Sequence, residues 1–170
     1  MRKALYILGD LAEEDILSLA DMGSIAELAA GDHLVRAGVA IGSLFFLTSG
    51  AMEVRLPNGR AVAALGIGDV VGEMSFVEKR TPDTDVVATE PSRVLAIPRT
   101  ALEAALGADP GFAARFYKAL ATFLSDRLRT MTAGTGGAGA DLDERLLDMV
   151  HIAGDRMLRL VELMERKTGR

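Results

Sequence analysis

The spacing of apolar and polar residues changes twice along the 170-residue chain. Residues 10–30 carry apolar side chains at helical spacing and predict a short lead-in helix, with Asp10 or Asp15 as its N-cap. Residues 31–97 consist of short apolar runs separated by Gly, Pro and Asn, which is typical of many short strands in a sandwich or roll. After Pro98 the apolar residues return to helical spacing. The predicted buried side of the lead-in helix is Ile16, Leu17, Leu19 and Ala20.

One turn within the strand region is specified closely. Pro57-Asn58-Gly59 separates two apolar runs, Met52 to Leu56 and Arg60 to Leu65. Asn-Gly pairs adopt the positive φ angles of tight turns, so this segment predicts a β-hairpin.

The helical region divides into three parts. Thr100 is expected to cap a helix that stops at Gly107, and Asp109-Pro110 to open a longer one. The apolar face of the longer helix is Phe112, Phe116, Leu120, Phe123, Leu124 and Leu128. The glycine-rich segment 133–140 is interpreted as a flexible linker. The domain organisation is therefore 1–107 for the β-roll with its N-terminal helix, 108–132 for the long helix, 133–140 for the linker and 141–170 for a final amphipathic helix.

The final helix presents an apolar seam that has nothing in its own segment to pack against. The seam is Leu142, Leu146, Met149, Ala153, Met157, Leu160 and Met164. Most helical stability in proteins comes from packing an apolar face. We therefore predict a homodimer through the C-terminal helices, or a protein partner that binds 141–170.

Composition excludes several classes of function. The net charge is -5 and no cysteine is present, which argues against a polyanion-binding surface, disulfides and thiolate chemistry. The apolar runs are too short to cross a bilayer, and a cytoplasmic location is expected. His33 and His151 stand far apart, with no carboxylate pattern at metal-ligand spacing. The chain is therefore predicted to be neither an enzyme nor a metalloprotein.

Three runs in the strand region resemble the cyclic nucleotide-binding domain family, as in catabolite activator proteins: GDHLVRAG, SLFFLTSGAMEV and GRAVAALGIGDVVGEMSF. The resemblance implies an antiparallel β-roll followed by C-terminal helices, in a fold that is mainly β with flanking helices. The residues after the helix that opens at Pro110 are too few for a helix-turn-helix domain and carry no basic stripe, so direct DNA binding is not expected.

The resemblance also implies where a ligand would bind. Gly72, Glu73, Met74 and Ser75 match the motif in which backbone N–H groups of a short helix face the cyclic phosphate and the Glu accepts from the ribose 2′-hydroxyl. A glycine followed by a helix N-terminus suits an anion on physical grounds as well. The alternative is that Glu73 only stabilises the start of a helix and meets no ligand.

The phosphate-binding arginine of the family is missing. Its position is Pro82, and Asp85 stands where a hydroxyl is expected. Either Lys79 or Arg80 reaches back over the loop, or the ligand is neutral or cationic and Asp83 or Asp85 accepts a hydrogen bond from it. The predicted ligand-binding residues are Val71, Gly72, Glu73, Met74, Ser75, Arg80, Thr81 and Asp85. The ligands that the family implies are cAMP, cGMP or another cyclic nucleotide.

Family members that signal cover the bound base with the helix after the roll. By position, the covering residues would be Phe116, Tyr117, Leu120 and Leu124; the alternative is that this stripe is core or dimer seam. Two functions remain open. One is a non-enzymatic regulator that binds a nucleotide-like ligand and signals through its C-terminal helices, and the other is a degenerate relative that serves as a dimerisation or docking module.

Overall fold

Two four-stranded antiparallel sheets form the roll, as the strand region predicted. A computed structural model describes the backbone of residues 3–133 and 144–168 and the side chains of 7–125 and 151–167. The described strands are β1 Ser24–Leu28, β2 His33–Val35, β3 Ser43–Ser49, β4 Met52–Arg55, β5 Ala61–Leu65, β6 Val70–Val71, β7 Asp85–Ala88 and β8 Ser92–Pro98. Sheet A has the order β1-β8-β3-β6, and sheet B has the order β2-β7-β4-β5.

Helices precede, interrupt and follow the roll. The described helices are α1 Lys3–Asp10, α2 Glu13–Met22, α3 Glu73–Glu78, α4 Arg99–Ala108, α5 Pro110–Ala133 and α6 Glu144–Thr168. None of these helices is long and apolar enough to span a membrane. The predicted fold class, mainly β with flanking helices, is confirmed.

Sheet A separates two apolar cores. Phe46 of β3 and Leu95 of β8 pack in the core that sheet A shares with the helices. Leu47 of β3 and Val94 of β8 pack in the core inside the roll. Side chains alternate between the faces of a strand, so a sheet covered on both faces is apolar on both. The roll interior is thereby built on one face of sheet A, and the helical layer on the other.

The predicted hairpin is confirmed, but its turn is wider than expected. β4 and β5 pair through Met52 opposite Leu65, and residues 56–60 connect them. Gly59 has φ +83°, whereas Asn58 has no positive φ and instead accepts the Arg60 N–H at 3.0 Å. The expectation that both Asn58 and Gly59 adopt positive φ is therefore wrong, because a longer loop needs only one such residue.

The lead-in helix is confirmed as α2, with different caps. Ala12 precedes the first turn, and the Asp15 carboxylate accepts the Ala12 N–H at 2.7 Å. Asp10 ends α1, a helix that the periodicity did not predict. Leu17 is 45% exposed, so its predicted place on the buried side is wrong.

Of the two later helix starts, one was predicted correctly. The Asp109 carboxylate accepts the Gly111 and Phe112 N–H groups at 2.8 and 3.0 Å, so it caps α5 as expected. Thr100 does not cap α4, because that helix already begins at Arg99 after Pro98 and has no side-chain cap.

The final helix folds back onto the chain's own N-terminal helices. Ala153, Leu160 and Met164 are buried in the same core as α1 and α2. Arg156 Nη1 donates to the carbonyls of Leu8 at 2.8 Å and Gly9 at 2.7 Å, where α1 ends. The sequence left open whether the final helix folds back on its own chain, and these three seam residues do so. The predicted linker 133–140 and the expected helix start at Asp141 lie outside the described residues, apart from Ala133 in α5.

A buried ion pair joins α2 to α5. The Asp15 carboxylate, with a residue exposure of 2%, accepts from Arg115 Nε and Nη2 at 2.7 Å each. Burial opposes ionisation of Asp15, but the hydrogen bonds from Arg115 and Ala12 outweigh it, so the pKa of Asp15 lies below its ordinary value.

Replacing Asp15→Ala should lower the free energy of unfolding by about 2 kcal/mol at neutral pH, because hydrogen bonds to a charged group are lost. A lowered folded-state pKa stabilises the protein above the ordinary pKa of 3.8 and ceases to do so as the pH falls through the lower value. Urea unfolding between neutral pH and about pH 3 should therefore show the difference between wild type and variant shrinking as the solution becomes acidic.

The matched control is Asp32→Ala, which removes a similar turn hydrogen bond to Ala29 N at an exposed position. Its effect should be smaller than that of Asp15→Ala. Equal losses for the two variants, or a difference that does not depend on pH, would contradict the role given to the pair.

Candidate functional site

A cavity of about 460 Å³ opens between the strands of sheet B, β6 and α3. Its apolar lining comes from the strands and one loop residue: Val35, Ile41, Val54, Val62, Ala63, Leu65, Val70, Val71 and Val86. Its polar lining comes from α3 and the loop that follows: Glu73, Ser75, Glu78, Arg80, Thr81, Asp83 and Thr84. Cavities of this size hold small molecules in other proteins. The cavity thus has an apolar side made of strands and a polar side made of α3 and its loop.

Gly72 sets the direction in which α3 leaves the sheet. It has φ +99°, and a Cβ at this position would lie 2.9 Å from the Ser43 carbonyl oxygen. Residues with a side chain rarely adopt this backbone conformation, and the neighbouring strand leaves no space for one. The chain can turn from β6 into α3 at this point because residue 72 is glycine.

The turn places the first residues of α3 in the cavity wall. Glu73 is 4% exposed and Ser75 is 7% exposed, whereas Met74 is 48% exposed at the mouth. Val71, Gly72, Glu73, Met74 and Ser75 all line the cavity, as the resemblance implied. The structure therefore brings together the predicted residues on the Gly-Glu side.

Arg80 lines the cavity but is already paired. Its Nη1 lies 3.7 Å from Glu78 Oε2, and its Nη2 lies 3.5 Å from Asp83 Oδ2. Its side chain is 68% exposed. The preceding residue, Lys79, ends α3 with φ +56° and does not line the cavity. Arg80 thus stands at the cavity between two carboxylates.

The segment that lacks the family arginine is held by structural hydrogen bonds. The Pro82 carbonyl accepts the Gly38 N–H at 2.8 Å, and Asp85 Oδ1 accepts the Ala37 N–H at 2.9 Å. Asp85 does not line the cavity, whereas Thr81 does. The carboxylate of Asp85 therefore stabilises the loop after β2 by accepting this hydrogen bond.

Two polar lining residues, Glu78 and Thr84, were not singled out from the sequence, nor were the apolar strand residues of the lining. Glu78 follows Glu73 by five positions on the same short helix, and Thr84 lies between two acids in the loop. Thr84 immediately precedes β7, and no motif in the sequence marked it. Residues 83 and 85 were both considered as ligand acceptors, and only Asp83 lines the cavity.

The proposed covering residues lie away from the cavity in this conformation. Phe116 and Leu120 belong to the core between sheet A and the helices, Leu124 packs against that core, and Tyr117 is 50% exposed. None of the four lines the cavity.

The other side of α3 contacts the helices that follow the roll. The Phe76 ring packs edge-on against Phe116 of α5, with the ring centroids 5.7 Å apart. Arg99, the first residue of α4, donates to the carbonyls of Ser75 and Phe76 at 3.1 and 3.2 Å and lies over the Phe76 ring. Sequence reasoning did not single out Arg99, because its carbonyl partners are more than twenty positions away. Residues of α3 thus contact both the cavity and the C-terminal helices.

Within the described residues, no group of three or more His, Asp or Glu side chains is placed to hold a metal ion. The site offers carboxylates, hydroxyls, one guanidinium and an apolar wall. This set can bind a small molecule through hydrogen bonds and apolar contact.

Comparison with known proteins identifies the family. The model of the cyclic nucleotide-binding domain matches residues 25–109, which include every strand but the first residue of β1. The chain therefore belongs to the cyclic nucleotide-binding domain family. Glutaminase 2 of Bradyrhizobium diazoefficiens is 33% identical over 122 residues, which is 72% of this chain and 19% of that protein. The chain thus spans about a fifth of the length of this curated relative.

Solved structures agree with the family. The C-linker/CNBHD of zELK channels, crystallized in the presence of cAMP, has a TM-score of 0.56 at 28% identity, covering 62% of this chain and 54% of that one. The regulatory subunit of a cAMP-independent protein kinase A from Trypanosoma brucei has a TM-score of 0.54 at 31% identity, covering 59% and 39%. A triple mutant of that subunit, bound to cAMP in the A site, has a TM-score of 0.55 at 26% identity, covering 76% and 44%.

Gly72→Ala should destabilise the protein more than Gly31→Ala does. Both glycines have φ above +90°, but a Cβ at Gly31 meets nothing within 4 Å, so that substitution carries only the backbone cost of about 1 to 2 kcal/mol. The excess loss in Gly72→Ala, measured by urea unfolding, reports the contact with the Ser43 carbonyl. Equal losses would mean that the neighbouring strand does not constrain the turn.

Proposed function

We propose that this chain is a non-enzymatic regulatory module that binds a nucleotide-like small molecule in the roll and transmits occupancy to its C-terminal helices. The observation that carries the proposal is the double role of α3. Its first residues line the cavity, and its Phe76 packs against Phe116 of α5. A ligand that shifts α3 must also change the contacts of α4 and α5, because packed interiors respond to small displacements.

Relatives support a small-molecule role while leaving the ligand open. One similar structure was crystallized in the presence of cAMP, and another belongs to a cAMP-independent kinase. In the latter, the cAMP-bound form carries three substitutions, one of which introduces an arginine. In this chain Pro82 stands at the position of the family arginine, so a preference for cAMP is not expected to follow from family membership alone.

The alternative function is a docking or dimerisation module that has lost its ligand. It is favoured by the pairing of Arg80 with Glu78 and Asp83, which leaves the cavity without an uncommitted cation among the described residues. Thermal shift separates the two functions, because a ligand at a hundred times its Kd stabilises the folded state by about 2.7 kcal/mol. The panel comprises cAMP, cGMP, cyclic dinucleotides and nucleosides, and no shift with any of them would favour the docking module.

Arg99 is proposed to couple α3 to the helices. With the compound that gives the largest thermal shift, the wild type should gain hydrogen-exchange protection in α4 and in residues 110–125 of α5. Arg99→Lys keeps the charge but cannot donate to both α3 carbonyls in the same planar geometry. We expect its Kd to stay within about threefold of wild type, while the protection gained in α5 on binding falls by at least half.

The matched control is Arg55→Lys. Arg55 also donates two side-chain hydrogen bonds, in its case both to Glu53 through Nε and Nη2, and it lies on β4. The control should keep the wild-type exchange pattern. Unchanged α5 protection in Arg99→Lys would count against this route of transmission.

Homodimerisation through the C-terminal helices is part of the proposal. The described part of the α6 seam packs into the chain's own core, so among the described side chains of α5 and α6 the apolar ones available to a second copy are the exposed Tyr117, Ile152 and Leu158. Leu158 is 66% exposed, the largest value among the exposed apolar side chains described. A dimer through α5 and α6 would bury this group.

Light scattering should therefore give a dimer mass for the wild type and a monomer mass for Leu158→Asp. Val39→Asp is the control, since Val39 is 56% exposed in the loop after β2 and outside the C-terminal helices. A monomer mass for the wild type at all concentrations tested would refute dimerisation. Loss of the dimer in both variants would place the interface elsewhere.

A further inference from the structure

We propose that the outer edge of β5, residues Ala61–Leu65, docks an extended segment of a partner protein. The segment adds to sheet B as an antiparallel strand, with an acidic C-terminal end beside Arg60. Docking uses backbone groups on the outside of the sheet, so it is a function beyond the one proposed above. Three features carry it: the free backbone of β5, the lack of any guard along this strand, and the unpaired charge of Arg60.

The backbone of β5 has a partner on one side only. Sheet B ends at β5, which pairs with β4 alone. Among the described residues, the backbone of β5 makes no hydrogen bond outside that pairing. Alternate N–H and C=O groups of an edge strand point away from the sheet. Residues 61–64 are all exposed, so these outward groups are open to an added strand.

The other edges of the two described sheets are short or covered. β6 has two residues and β2 has three. β1 has five, but it contacts α6 and carries Glu27, which lies 3.4 Å from Arg93 Nε, while Arg93 Nη2 lies 2.9 Å from Glu165 of α6. β5 also has five residues, and none is charged, proline or glycine. Proteins guard sheet edges with charge, shortness or a covering element, so an unguarded edge suits the addition of a strand.

Arg60 directly precedes β5 and is exposed. Among the described residues, no carboxylate lies within ion-pair distance of it, whereas Arg55 of the neighbouring β4 is paired with Glu53 at 3.0 Å. A segment that adds antiparallel to β5 has its C-terminal end at the start of β5. A carboxylate at that end would meet the free guanidinium, since opposite charges attract. The charge of Arg60 therefore favours an acidic C-terminal end.

A second copy of this chain suits the edge less well. If two β5 strands paired about a two-fold axis, each Arg60 would lie beside the Leu65 end of the other copy. That end continues into the exposed Ile67, and Asp69 beyond it is buried and accepts the Gly66 N–H at 2.9 Å. Both arginines would lack a counter-charge, and a partner segment with an acidic end supplies one.

The probe is a synthetic peptide of alternating valine and threonine, five residues long like β5, followed by an aspartate with a free C-terminal carboxylate. This composition favours an extended strand. The peptide is titrated into the full chain without nucleotide, and fluorescence polarisation follows binding up to about 1 mM. We expect binding, with hydrogen-exchange protection gained in residues 60–65. β2, at the opposite edge of sheet B, should gain none.

Backbone methylation tests the mode of binding without any change in the protein. Two peptides carry N-methyl groups on alternate residues, one on each alternate set. In an added strand, only one set of N–H groups points toward β5. One peptide should therefore lose affinity about tenfold or more, because its hydrogen bonds are lost, while the other stays within about threefold of the parent. Equal losses for the two peptides, or no loss for either, would overturn the proposal.

The acidic end is tested with Arg60→Gln. The variant should raise the Kd of the acidic peptide about threefold, since an exposed ion pair contributes little. A peptide that ends in asparagine amide should bind wild type and variant equally. The matched control is Arg36→Gln, because Arg36 is exposed in the loop after β2, at the opposite edge of sheet B. The same effect in both variants, or an effect of Arg60→Gln that persists with the neutral peptide, would refute the acidic end.

The remaining outcomes keep this docking site separate from the proposed function. Absence of binding at the highest peptide concentration overturns the docking site and leaves the nucleotide-like ligand of the roll untested by this result and unchanged. Protection that appears in α3 and not in residues 60–65 would place the peptide in the cavity and overturn the docking site as well. Masses above the dimer that grow with protein concentration, without peptide binding, would assign the edge to copies of this chain and overturn the choice of partner.

Discussion

The turn at Gly72 is the constraint on which the arrangement around the cavity depends. With φ +99° and the Ser43 carbonyl close by, the chain leaves β6 at one fixed angle and starts α3 there. Glu73 then enters the cavity wall, and Phe76, three residues later, enters the core beside Phe116. Residues three apart on so short a helix cannot move independently, so the wall of the cavity and the packing of α5 share one rigid element.

Local sequence signals were enough for most of the roll. The Pro57-Asn58-Gly59 turn, the Asp109 cap of α5 and the Gly72-Glu73 turn each depend on neighbouring residues, and each lies where the sequence placed it. The first helix was missed because eight residues carry too weak a periodicity. The packing partner of α6 could not be predicted from its own segment, since its cover comes from Leu8 and other residues more than a hundred positions earlier.

At the candidate site, too, contacts between residues far apart in the sequence were what the sequence could not predict. Residue type identified Gly72, Glu73 and the missing arginine at Pro82, because these are statements about single positions. It could not show that Asp85 holds the Ala37 N–H or that Arg80 lies between Glu78 and Asp83. The charge that a ligand would meet depends on these pairings, and they arise only when β2, α3 and the following loop are assembled.

The anchoring of α6 on α1 has a consequence for biosynthesis. Arg156 binds the carbonyls of Leu8 and Gly9, and Met164 approaches Gly23 so closely that a Cβ there would overlap its methyl group. The early helices therefore leave the ribosome long before the segment that completes their burial. Until residues 144–168 are translated, Ile7, Leu8 and Leu19 lack part of their cover, and chaperones that bind apolar segments have a natural target there.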